Sequence, residues 1–121
     1  MFTLDGVRKF HGWTHACLSL LLDRLASIPA SDYGKVREQV IHIFNCEGFW
    51  VHTLQGLSYV DRSPAQCPAV SDASLFEQEV IQQTHTYLSG LTVWQLNSDT
   101  ELNFSDGDVA IRTPALILHM S

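Results

Sequence analysis

Val36-Arg-Glu-Gln-Val40-Ile-His42-Ile-Phe-Asn-Cys46-Glu47-Gly-Phe-Trp50-Val-His-Thr-Leu54-Gln-Gly-Leu57 is the stretch whose reading decides the fold. Val36, Val40, Ile43, Trp50, Leu54 and Leu57 recur at steps of three, four and seven, the spacing of one helix face. Asp32, after Ser31, offers its carboxylate to the orphan amides at the start. The spacing therefore predicts a helix over residues 32–57. An amphipathic helix of that length needs partners for its apolar face.

Working outward, Leu4, Val7, Phe10, Leu18, Leu21, Leu22, Leu25 and Ile28 carry the same period, with Thr3 or Asp5 to cap and Pro29 to stop. That predicts a helix over 4–28, and the short loop after it predicts antiparallel packing. Downstream, Ser63-Pro64 and Cys67-Pro68 mark a loop from Ser58 to Val70. Ser71-Asp72 caps a third helix over 72–90, with Leu75, Phe76, Val80, Tyr87 and Leu88 inward and Gly90 as its stop. Thr92 to Asn97 has room for one more turn. Glu101–Phe104 and Val109–Arg112 flank Ser105-Asp-Gly-Asp108, which predicts a small hairpin or extended excursion. Thr113-Pro114 opens a last helix from Ala115 to Ser121. The expectation is an all-α fold: one domain over 1–121, an up-down-up bundle, with its final helix truncated.

Composition narrows the function. The 121 residues suit one core, and the net charge of −6 argues against a nucleic-acid partner. Arg8-Lys9 and Lys35 with Arg37 are the clustered cations, too few for a phosphate footprint. No apolar run reaches the ~18 residues that span a bilayer. The start, MFTLDGVRKF, lacks the features of a secretory leader. Cys17, Cys46 and Cys67 show no metal or redox spacing, so they read as buried, reduced thiols of a cytoplasmic protein.

Six histidines are the candidates for chemistry. His11 and His15, at i and i+4, share a helix face and could bind a metal together. Trp13 lies between them and no carboxylate follows at helical spacing, so a solvated or packed face is the plainer reading. His42 stands among Val40, Ile41, Ile43 and Phe44, where an imidazole is either a hydrogen-bonded core group or a ligand. Cys46, one turn on, could line the same pocket. Glu47 points about 140° away from His42 by helix geometry. His119 falls on the opening turns of the last helix. No P-loop, G-x-S-x-G, G-x-G-x-x-G or H-E-x-x-H motif occurs.

The stretch His42-Ile-Phe-Asn-Cys-Glu47-Gly-Phe-Trp50-Val-His-Thr-Leu-Gln-Gly56 resembles the second helix of the DinB/YfiT-like family. Arg112-Thr-Pro-Ala-Leu-Ile-Leu-His119-Met resembles the opening of that family's fourth helix, and Trp13 and the stretch Leu91 to Gly107 also fit. The resemblance implies a four-helix bundle with a long connection, usually dimeric. It implies a divalent metal, zinc or nickel, held by three histidines: one matched by His42, and two from helix four. Those two would follow His119 by one and two turns, past Ser121. The sequence therefore reads as a shortened form of a longer protein; a neighbouring subunit that supplies the helix, or a metal-free descendant, are the alternatives.

The resemblance further implies a metal-dependent enzyme acting on a small molecule, a hydrolase or a thiol S-transferase using a low-molecular-weight thiol, with no catalytic residue identified. The rival is a non-catalytic helical bundle whose groove holds a small molecule or a partner helix. Uncovered apolar stripes cost ~1.5–3 kcal/mol per side chain, so the expectation is a homodimer or a longer chain rather than a stable monomer.

Overall fold

A computed structural model describes residues 1–120, with side chains from Met1 to Leu118. The chain is mostly helical with one small hairpin. In order it forms α1 (Leu4–Ala26), α2 (Ala30–Leu54), α3 (Val70–Ser89), the single turn α4 (Val93–Leu96), β1 (Thr100–Asn103), β2 (Val109–Arg112) and α5 (Pro114–Met120).

Local chemistry sets the boundaries. Thr3 accepts the Gly6 N–H to cap α1, and Thr92 with Gln95 forms a reciprocal capping box on α4. Two expected caps move. Asp32 lies in the first turn of α2, which already starts at Ala30 behind Pro29. Asp72 lies within α3 and reaches back to accept the Ala69 N–H at 2.9 Å. An aspartate three residues into a helix serves the same orphan amides as one at the cap. The hairpin is antiparallel, Thr100 opposite Arg112 and Asn103 opposite Val109, and its turn uses Gly107 at φ +91°.

The long helices do not alternate in direction. On α1 and α3, His15 meets Glu77 while Arg8 meets the Leu88 carbonyl, so these two run antiparallel. On α2 and α3, Phe44 meets Phe76 while Thr84 meets Glu47, so these two run the same way. The bundle is up-down-down, which corrects the up-down-up expectation. The physical reason is the connection: residues 55–69, at ~3.3 Å each when extended, can travel back along the ~37 Å of α2. Asn45 pins that return. Its Oδ1 accepts from Tyr59 Oη (2.7 Å) and the Arg62 N–H (2.9 Å), and its Nδ2 donates to the Arg62 carbonyl (2.8 Å). Tyr59 lies so close over Gly48 that a Cβ there would fall 2.6 Å from its ring.

One apolar cluster joins Leu22 and Leu25 of α1, Tyr33, Ile41 and Phe44 of α2, and Phe76 and Val80 of α3. A second joins Val7, Leu88, Leu96 and Ala115, and a third joins Leu54, Leu102 and Ile117. The inward face of α2 is thus rotated from the expected stripe: Val40 and Leu54 are buried, but Val36, Ile43 and Leu57 are exposed. Leu21 on α1 and Leu75 on α3 are exposed as well. Each helix carries apolar residues on two adjacent faces, and periodicity alone does not say which one a partner covers. All three cysteines are free, but only Cys67 is buried, with its thiol pushed up by that burial; Cys17 is exposed.

Candidate metal centre

Between the first and second apolar clusters the three long helices turn polar side chains toward one another. α1 contributes His11 and His15, one turn apart on the inward face, and Ser19 one turn further. α2 contributes Glu47. α3 contributes Glu77 and Thr84, which fall on the same buried stripe as Ala73, Phe76, Val80 and Leu88.

Glu47 is the hub. Its Oε2 accepts from His11 Nε2 at 2.9 Å and from the Thr84 hydroxyl at 2.6 Å, and its Oε1 accepts from His15 Nε2 at 2.7 Å. His15 Nδ1 donates to Glu77 Oε2 at 2.9 Å, and Ser19 donates to the other Glu77 oxygen at 3.0 Å. An ionised carboxylate only accepts, so carboxylates against both nitrogens favour the imidazolium form of His15. Burial alone would lower the His15 pKa, but the hydrogen bonds and charges of Glu47 and then Glu77 outweigh it and raise it above 6.5. Burial alone would likewise raise Glu47, but hydrogen bonds from His11 and His15, the His15 charge and Thr84 bring it down to about 2. The buried Nδ1 of His11 has no hydrogen-bond partner among the described residues.

One donor atom from each of His11, His15 and Glu47 lies within 4.8 Å of the others, so the cluster could hold a metal ion. Two imidazoles and a carboxylate are a donor set used by catalytic zinc, with the fourth position left open. A cavity of about 20 Å³ adjoins His11, Glu47 and Thr84 under Val7, Phe10, Leu88 and Leu118. That is room for one water molecule.

No family model matches the chain, and neither does any curated protein or solved structure. His42 is exposed, not interior, with its Nε2 3.4 Å from Cys46 Sγ on the outer face of α2. The same helix geometry that sends Glu47 inward sends His42 outward. His42 is not brought to the cluster, and the His119 side chain lies outside the described residues. The His11–His15 pair does converge on a carboxylate, although none follows at helical spacing on α1. Glu77 and Thr84 belong to no motif; their signal in the sequence is a polar side chain on an otherwise apolar stripe.

Proposed function

We propose that the chain binds a divalent transition metal, zinc by preference, through His11, His15 and Glu47, and that the loaded centre is that of a hydrolase or thiol S-transferase. The observation that carries this reading is the convergence of two imidazole Nε2 atoms on Glu47, with His15 Nδ1 held by Glu77. A carboxylate on the far nitrogen is what orients a metal-binding histidine and fixes its tautomer. The bound ion would supply Lewis acidity and lower the pKa of a water or thiol nucleophile. The chain's own residues do the rest. Thr84 orients Glu47, Ser19 orients Glu77, and Val7, Phe10, Leu88 and Leu118 restrict bulk water. Membership of the DinB/YfiT-like family and a homodimeric state belong to the same proposal. They are supported by the motif from His42 to Gly56, the long return between α2 and α3, the hairpin before α5, and exposed Trp13, Leu20 and Leu21 on α1.

A second reading is a non-catalytic bundle in which the cluster only ties three helices together. It is favoured by the fact that both carboxylates and both nitrogens of His15 are already hydrogen-bonded. Zinc titration of metal-free protein by calorimetry separates the two. One equivalent should bind, His11→Ala, His15→Ala and Glu47→Ala should each abolish it, and His42→Ala should leave it intact. No uptake by the unmodified chain sinks the metal reading. Loss with His42→Ala alone restores the ligand set implied by the family resemblance.

A further inference from the structure

A second cavity, of about 320 Å³, lies where the hairpin and α5 meet α2. Trp50, Leu102, Phe104, Ala110, Arg112 and Ile117 line it, and none of these lines the cavity beside His11 and Glu47. One wall is aromatic. Trp50 stands edge-on to Phe104 at 6.1 Å and 87°, and Phe49 stacks on Phe104 at 6.3 Å and 18°. Leu102 and Ile117, both buried, close the floor. The charged member is the exposed Arg112, whose Nη1 donates to the Ile111 carbonyl at 2.6 Å. Lys9, Lys35 and Arg62 are ion-paired, whereas Arg112 has no carboxylate within 4 Å among the described residues.

We propose that this cavity binds a small aromatic carboxylate, its ring against Trp50 and Phe104 and its carboxylate on Arg112. Small-molecule sites are apolar hollows of roughly 300–1,000 Å³ with a few placed polar groups, and this one sits at the small end, suited to one or two rings. Edge and face contacts between rings favour an aromatic body over an aliphatic one. A guanidinium takes a carboxylate through two parallel N–H donors, which a neutral hydroxyl cannot match. In a chain of net charge −6, a cation at the cavity with no carboxylate partner among the described residues makes the cavity a local exception that suits an anion.

The test needs no metal and is independent of the His11–Glu47 centre. The unmodified, metal-free protein is titrated with 2-naphthoate and with 2-naphthalenemethanol, its neutral counterpart. Binding is followed by calorimetry and by the indole N–H resonances of the three tryptophans. The expected result is that 2-naphthoate moves the Trp50 indole and leaves exposed Trp13 and Trp94 in place. It should bind roughly tenfold more tightly than the alcohol, and Arg112→Gln should erase that difference. Equal affinity for acid and alcohol, shifts confined to Trp13 or Trp94, or no binding at millimolar ligand would each overturn the proposal. The acid–alcohol comparison on the unmodified chain decides the matter even if the variant folds poorly.

Discussion

Glu77 reaches from α3 to His15 on α1, with Oε2 2.9 Å from Nδ1, and that contact decides which nitrogen of His15 faces Glu47. A carboxylate 1% exposed is costly unless it is paired, and here it is paired to the one imidazole that two helices share.

Glu77→Gln keeps the shape and removes the charge. Zinc affinity should fall by about 10–100-fold, read by competition against a chromophoric chelator. Unchanged affinity would mean that Glu77 does not orient the ligand.

Stability of the metal-free protein should show two limbs in pH. Glu47, held at about 2 against an ordinary 4.5, contributes stability present above 4.5 and lost as the pH falls through its folded value. His15, raised above 6.5, contributes stability present below 6.5 and lost as the pH rises through its folded value. Thermal unfolding followed by circular dichroism should therefore give a plateau between 4.5 and 6.5. Glu47→Gln should flatten the acid limb and His15→Gln the alkaline one. Zinc affinity should climb with pH, because the ion displaces the His15 Nε2 proton.

Asn45→Ala removes three hydrogen bonds that hold the return segment to α2 and strands the Arg62 N–H and carbonyl. The loss should be about 2–3 kcal/mol in urea unfolding, with little change in zinc binding. A loss below about 0.5 kcal/mol would show that the segment is held elsewhere.

Gly48→Ala ought to stabilise an exposed helix by roughly 0.5–1 kcal/mol. Here the new Cβ meets the Tyr59 ring at 2.6 Å, so the variant should be destabilised instead. Adding Tyr59→Ala should restore the ordinary sign, which a double-mutant cycle reads directly.

Light scattering at micromolar concentration should return a dimer. Trp13 and Leu20, each 69% exposed on α1, are the side chains whose replacement by serine should dissociate it. A cooperative monomer at that concentration rules the dimer out.

The helices were legible because their signals are local: the period of Leu18, Leu22 and Leu25, the stop at Pro29, the capping threonines at 3 and 113, and Asp106-Gly107 at the hairpin turn. Each of these acts within a few residues of chain, and the boundaries they imply lie within about three residues of those observed. The direction of α3 was not legible. A long return segment permits either sense, and Asn45 selects one through contacts with Tyr59 and Arg62 that no spacing rule anticipates.

The centre divides in the same way. The sequence by itself determined that His11 and His15 share a helix face and that His42 and Glu47 must point in different directions. The expectation of an interior His42 failed because α2 is apolar on both sides, with Ile43 and Val36 on one and Ile41 and Phe44 on the other. Only the packing of α3 against α2 decided which side faces inward. Burying Phe44 against Phe76 turned Glu47 toward His15 and Thr84 and left His42 outside with Cys46. A ligand set spread over three helices is a property of how faces meet, and that is fixed by contacts between residues far apart in the chain.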